Sequence, residues 1–264
     1  MVKRKIIVIT GSTRGIGLAL AHSFLKKECG VIINGRKQNS VDTVVSNLKD
    51  EFHSEHIAGY ACDVANFNQV EKLWEKSIEK FGLVDIWINN AGISNNQNPP
   101  WDLSAEEIRN VVETNILGEM LGTKVAISGF LKQGYGALYN MEGMGAQGRR
   151  GVKGLSIYGA TKAGLRYFND SIIAEIENRQ IIIGAIQPGM MLTEMVTGQY
   201  TNRPNDWDKV KGIFDIISEK PEIVAEWLTE KILKNKRNGI RFSYGGMFRM
   251  ASRLIKKQLQ GKKQ

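Results

Sequence analysis

Along most of this chain, short runs of apolar residues take turns with longer stretches in which apolar residues recur at helical spacing. The runs near residues 5–10, 31–35, 57–62, 84–89, 135–140, 181–186 and 239–243 predict strands. Between them Val41, Val44, Val45 and Leu48, and then Phe67, Val70, Leu73, Trp74 and Ile78, keep the period of one helix face. Strands and helices that alternate throughout predict an α/β fold, a single doubly wound parallel sheet with helices on both faces. Ser104-Ala105-Glu106-Glu107 has the form of a capping box and predicts the start of a long helix carrying Ile108, Val111, Val112, Ile116 and Leu121. The stretch 187–218 departs from the alternation. It follows Gln187-Pro188-Gly189, mixes polar, Met and Trp residues with weak periodicity, and predicts a long irregular substrate lid.

The first strand runs directly into Thr10-Gly11-Ser12-Thr13-Arg14-Gly15-Ile16-Gly17, with a helical pattern after it. Gly11 permits a tight strand-to-helix turn, Gly15 lets the backbone approach a pyrophosphate, and Gly17 lets the helix pack close to the sheet. The free N–H groups and partial positive charge of the helix start suit a phosphate. With a strand before it and a helix after it, the turn predicts a Rossmann-type dinucleotide site.

Length and charge refine this picture. A chain of 264 residues fits one large α/β domain, here read as residues 1–246 followed by a tail at 247–264. The net charge of +9 invites a nucleic-acid partner, but Lys3, Arg4 and Lys5 at one end and Arg249, Arg253, Lys256, Lys257, Lys262 and Lys263 at the other account for all of it. The body is formally neutral, so no nucleic-acid partner is expected. In the tail Met247, Met250, Ala251, Leu254, Ile255 and Leu259 recur at helical spacing among the cations. This pattern suits either weak contact with an anionic membrane surface or docking on the protein itself. No window is long and apolar enough to span a membrane, and the first strand starts almost at once, so a cytoplasmic location is expected. Cys29 and Cys62 have neither metal nor redox spacing and read as buried reduced thiols; no metal is expected.

The chemistry-bearing pattern is Tyr158-Gly159-Ala160-Thr161-Lys162, which sets a phenol and an ammonium one helical turn apart. A nearby cation stabilises phenolate and draws the tyrosine toward the range of a working proton donor. Asn89-Asn90-Ala91-Gly92 closes the fourth strand, at the sheet edge where a doubly wound fold opens its ligand crevice. Together with the glycine turn, Asn115 and Pro188-Gly189 with Thr193, these motifs occur in the order seen in short-chain dehydrogenases/reductases, which the chain resembles from about residue 5 to 245.

That resemblance implies roles. Tyr158 would exchange a proton with the substrate oxygen, Lys162 would bind the nicotinamide ribose and lower the Tyr158 pKa, and Asn115 would hold a water linking Lys162 to solvent. Gly11, Ser12, Thr13, Arg14, Gly15, Ile16 and Gly17 would surround the pyrophosphate. Asn90, Ala91 and Gly92, with Val64, Pro188 and Gly189, would line the cofactor. Asp63 would bond the adenine and Thr193 the carboxamide or phosphate, with local turn bonding as the alternative for both. The implied assembly is a homodimer or homotetramer packed through helices around 104–132 and 157–178.

Two departures sharpen the expectation. The second strand ends Ile33-Asn34-Gly35-Arg36-Lys37, without the acid that bonds the ribose 2′-hydroxyl in NAD-binding relatives. Arg36 and Arg14 instead favour NADP(H), whose 2′-phosphate takes charge-assisted bonds. The family's catalytic serine is also missing: Glu142 and Gly143 stand where a serine pair is common, position 145 is glycine, and no Ser or Thr lies between Tyr139 and Ser156. Loss of one such donor costs roughly 100-fold or more in rate. The segments Asn140-Met141-Glu142-Gly143-Met144-Gly145, Tyr158 to Arg166, Gln187 to Glu194 and Phe214 to Ala225 resemble the chlorophyll b reductase branch, which reduces a formyl group. Trp101, Met190, Met191, Met195, Tyr200, Trp207 and Phe214 line an apolar pocket on one reading and are ordinary packing on the other. The implied activity is NADPH-dependent reduction of a small-molecule carbonyl, aldehyde or ketone, with Tyr158 as proton donor. The alternative is a non-catalytic NADP-binding scaffold.

Overall fold

The computed structural model describes residues 4–148, 151–177, 180–201 and 204–245. Seven strands form one parallel sheet: β1 (Ile6–Ile9), β2 (Gly30–Gly35), β3 (Ile57–Ala61), β4 (Ile86–Asn89), β5 (Gly136–Met141), β6 (Ile181–Gln187) and β7 (Arg241–Ser243). Their order across the sheet is β3-β2-β1-β4-β5-β6-β7. The β1 strand lies between β2 and β4, with Val8 opposite both Ile32 and Trp87. The direction of winding reverses there, which opens a crevice at the carboxyl ends of β1 and β4.

The strands are buried on both faces, so their apolar runs are continuous rather than alternating. On one face Leu20 and Phe24 of α1 (Gly15–Leu25), Val41 and Leu48 of α2 (Gln38–Glu51) and Val224, Leu228 and Ile232 of α9 (Pro221–Lys234) pack with Ile7, Ile9 and Ile33. On the other, Val70 and Leu73 of α3 (Phe67–Phe81), Val125 and Phe130 of α5 (Gly118–Gln133) and Ile172 of α6 (Ser156–Glu175) cover Val8, Trp87 and Leu138. Each fully buried large side chain of this kind contributes about 1.5–3 kcal/mol. All seven strands fall within a few residues of their expected positions.

Two helical expectations change. The long helix opened by Ser104 is divided: α4 (Ala105–Val112) passes through a π turn at Glu113–Leu117 before α5 continues. Only half of the capping box forms. Ser104 Oγ accepts the Glu107 N–H at 3.1 Å, but the Glu107 carboxylate turns to the Asn96 N–H at 2.6 Å. The stretch 187–218 is also more regular than expected. It holds α7 (Glu194–Thr197) and α8 (Pro204–Ile217), because Tyr200, Trp207 and Phe214 stack into an aromatic cluster with ring centres 5.5–6.3 Å apart that gives α8 a packed face. Met191 is buried in the core, whereas Trp101 is 82% exposed. Both cysteines are buried free thiols that burial pushes up, to about 11 for Cys29 and about 12 for Cys62. The tail at 247–264 lies outside the described residues.

Candidate active site

The candidate phosphate cradle is held by neutral groups. Thr10 Oγ1 accepts the backbone N–H groups of Asn90 (2.9 Å) and Ala91 (3.0 Å), which ties the ends of β1 and β4 together. Asn90 Nδ2 donates to the carbonyls of Thr10 (2.8 Å) and Gly11 (3.1 Å). At Gly11, φ is 61° and a Cβ would come within 2.8 Å of the Ala91 backbone, so the turn requires glycine. A Cβ at Gly17 would meet Asn90 Nδ2 at 2.5 Å and the Gly11 carbonyl at 2.6 Å; its absence lets α1 start against the turn. Ser12 turns its hydroxyl inward, donating to the Ile9 carbonyl and accepting the Asn34 N–H, so it serves the cradle rather than offering a side-chain contact to a ligand. Thr13 packs its methyl against Gly35, and Ile16 packs against the core.

Several of the residues expected at the site lie around this cradle. Gly92 lies where an added Cβ would be 3.4 Å from Asn115 Oδ1 and 3.9 Å from Lys162 Nζ, so β4, the π turn and α6 meet at one point. Thr193 places its methyl over Gly15, and its hydroxyl does not cap α7. Pro188 is buried, and Gly189 at φ 76° closes against the Tyr244 carbonyl. Val64 packs under Gly118. Asp63 is half-buried, and one of its carboxylate oxygens accepts the Ala65 N–H at 3.0 Å, the local turn bond of the alternative reading. Arg36 is exposed at the end of β2, and Arg14 pairs with Glu194 at 3.0 Å across 180 residues of sequence.

Tyr158 and Lys162 face the same corner but do not act on each other as expected. The Lys162 ammonium is buried and donates to the Met141 carbonyl at 2.8 Å. Burial pushes the Tyr158 phenol up to about 12, with no opposing pull from Lys162. The expected lowering is therefore absent: in this arrangement desolvation dominates and the cation is turned toward β5. Asn115 is fully engaged. Its amide donates to the Ile93 carbonyl (2.9 Å) and Thr161 Oγ1 (3.1 Å) while its carbonyl accepts the Ile93 N–H (2.8 Å), so its side chain fastens α6 to the loop after β4 rather than presenting a donor to water. Gly143 explains the missing serine in steric terms, since a Cβ there would run into the Tyr158 hydroxyl.

Several residues of this corner carry no motif. Buried Asn95 accepts the Tyr158 N–H at 3.1 Å and donates to the Gly154 carbonyl at 2.8 Å, fixing the start of α6. Glu142 is buried and takes bonds from Arg241 Nε (2.9 and 3.0 Å) and Gln187 Nε2 (2.6 Å); Arg241 also reaches Asp170 at 2.8 Å. Glu119 is buried near Lys162. Spacing within the sequence gives no sign of these partners, which lie on separate elements. Among the described residues no group of His, Cys, Asp and Glu is placed to hold a metal, and no helix is long and apolar enough to cross a membrane.

The pieces fit a dinucleotide: a cradle that excludes side chains at Gly11 and Gly17, and a buried Asn90 Oδ1 left without a partner beside it. Residues 5–204 match the family model described as short chain dehydrogenase. A probable chloroplastic chlorophyll(ide) b reductase of Arabidopsis thaliana is 35% identical over 254 residues, covering 90% of this chain and 50% of that protein. The chain thus spans about half the length of that curated relative. Among solved structures, an actinorhodin polyketide ketoreductase variant with NADPH superposes with a TM-score of 0.79 at 25% identity, covering 92% of this chain and 97% of the other. A 3-ketoacyl-(acyl-carrier-protein) reductase from Brucella melitensis complexed with NADH gives 0.77 at 25% identity over 92% and 97%.

Proposed function

From the premise that the chain belongs to the short-chain dehydrogenase family of oxidoreductases, and is similar to its chlorophyll b reductase-like branch, we propose that it is an NADPH-dependent carbonyl reductase. The observation that carries this reading is that the Lys162 ammonium and Asn115 meet beside Gly92 at the sheet's switch point, while the Tyr158 hydroxyl lies against Gly143 next to the Lys162 stem. NADPH, when bound, would supply the hydride for the substrate carbon. Tyr158 supplies the proton for the substrate oxygen, and its burial keeps it in the proton-bearing form that reduction needs. Lys162 and the N–H groups at the start of α1 would hold the cofactor, while Arg14 and Arg36 would receive its 2′-phosphate. That phosphate would compete with Glu194, which pairs with Arg14.

The substrate is a small molecule bearing a formyl or keto group, admitted under the α7–α8 segment. We place the protein in the cytoplasm as a homodimer or homotetramer. Exposed Val112, Leu117 and Tyr167, the last 79% exposed, lie on the helices expected to pair. For the tail at 247–264 both expectations stand, weak contact with an anionic membrane surface and docking on the protein itself.

Tyr158→Phe tests the reading. It should lower the turnover of a carbonyl substrate by about 10²–10⁴-fold and leave the NADPH dissociation constant within roughly twofold, since the ring still packs. Retained turnover would overturn the role of Tyr158. A second reading, a non-catalytic NADP-binding scaffold, is favoured by the absence of a hydroxyl at Gly143; NADPH binding without turnover of any aldehyde or ketone would establish it.

A further inference from the structure

One peptide unit at the end of β5 seats the Lys162 ammonium. Its carbonyl, that of Met141, accepts the ammonium at 2.8 Å, and the N–H of the same planar unit, that of Glu142, donates to the Ile186 carbonyl of β6 at 2.8 Å. The residue after it is Gly143, against which the Tyr158 hydroxyl lies and where a Cβ would be 3.3 Å from Lys162 Cγ. Residue 142 therefore stands between the seat of the ammonium and the seat of the phenol. Its carboxylate is buried and is held from two other strands. Arg241, the first residue of β7, brings Nε to 2.9 and 3.0 Å and Nη2 to 2.8 Å, and Gln187, the last residue of β6, brings Nε2 to 2.6 Å. Both holders are themselves fixed: Ser243 Oγ donates to Gln187 Oε1 at 2.6 Å, and Arg241 Nη2 reaches Asp170 of α6 at 2.8 Å.

We infer that Arg241 is a positioning residue for carbonyl reduction: by clamping the Glu142 carboxylate it fixes the backbone at 141–143 on which Lys162 and Tyr158 rest. The inference rests on the reductase reading above. A guanidinium suits the task because it meets both carboxylate oxygens with donors in a rigid plane, so it sets direction as well as supplying charge. With Arg241 removed, the buried Glu142 charge would keep only the Gln187 donor. A buried carboxylate without a cation turns toward water, and its backbone turns with it. The peptide unit between Met141 and Glu142 would then rotate, carrying the acceptor away from Lys162 and moving Gly143 against Tyr158. The glycine turn, bonded through Thr10 and Asn90, would stay in place. The proton-transfer geometry should therefore suffer more than cofactor binding.

The experiment compares the full chain with Arg241→Gln, which removes the cation, and Asp170→Asn, which loosens only the exposed outer end of the clamp. One measurement is turnover of a panel of aromatic aldehydes with saturating NADPH. The other, made without substrate or cofactor, is acetylation of Lys162 by acetic anhydride, read by mass spectrometry; alkylation of the buried thiols Cys29 and Cys62 reports global opening. In Arg241→Gln kcat should fall at least about tenfold while KM and the NADPH Kd stay within about threefold of the parent. Lys162 should be acetylated at least about tenfold faster, with the thiols as protected as before. Asp170→Asn should move both measurements the same way by about two- to threefold. A clamp that only stabilises the fold would lower the urea midpoint of Arg241→Gln but leave its kcat and its Lys162 protection at parent values, and that result would overturn the positioning role. If Arg241→Gln does not fold, parent values of both measurements in Asp170→Asn would overturn it. Failure of the parent to reduce any aldehyde would overturn the reductase reading instead; Lys162 acetylation in the variants would then decide by itself whether Arg241 holds the ammonium in place.

Discussion

The phosphate cradle and the Tyr158 corner are adjacent, yet they are built on different physics. Around the glycine turn the buried polar groups are neutral: Thr10, Ser12 and Asn34 bond backbone groups of β1, β2 and β4, at distances of 2.8–3.3 Å. At the ends of β5, β6 and β7 the buried groups are ionisable: Glu142 is bonded by Arg241 and Gln187, and the Lys162 ammonium donates to the Met141 carbonyl. Neutral bonds to backbone hold a fixed shape for a ligand whose own charge does the work. Buried charges are costly, sensitive to pH and responsive to one another, properties suited to a site that moves a proton.

Breaking the charged network should have the largest effect. Glu142→Ala strands Arg241 with only the exposed Asp170 and takes the acceptor from Gln187 Nε2, while Gln187 Oε1 keeps its bond from Ser243. It should destabilise the fold by about 3–5 kcal/mol in urea unfolding. A cost near zero would mean that the network is solvated and that the contrast with the cradle is false. Thr10→Val is the matching change in the cradle. It removes the acceptor of two part-buried N–H groups at nearly constant volume and should cost about 1–3 kcal/mol, with NADPH binding weakened as β1 and β4 separate. If Thr10→Val cost more than Glu142→Ala, the neutral cradle would be the more demanding of the two regions.

The smallest effect concerns the rim of the cradle, where charge reappears but in solvent. NADPH should bind at least about tenfold more tightly than NADH, roughly 1.4 kcal/mol, and Arg36→Asp should reverse that order. Calorimetry giving equal affinity for the two cofactors would remove Arg36 from the cofactor site. Because Arg36 is exposed, its substitution should leave folding stability within about 0.5 kcal/mol of the parent. This separates the recognition of charge at the rim from the structural use of charge inside.

Much of this was written in the order of residues. The seven strands and the turn at Gly11 to Gly17 follow from continuous apolar runs and from glycines whose spacing is local, so neighbours along the chain are neighbours in space. Tyr158 and Lys162 share a helix face for the same reason. The sequence also showed that no acid closes β2 and that no serine precedes Tyr158. Tertiary structure alone decided how these groups are used. The Lys162 ammonium turns to Met141, 21 residues away, and Asn115 is spent on Ile93 and Thr161. Arg241 finds Glu142 across 99 residues, and Arg14 finds Glu194 across 180. The α8 helix, weakly periodic by itself, is held by the stacking of Trp207 and Phe214 with Tyr200. Periodicity records which face of an element is buried. It does not record which distant side chain is buried beside it, and the charge balance around Lys162 is set by those distant neighbours.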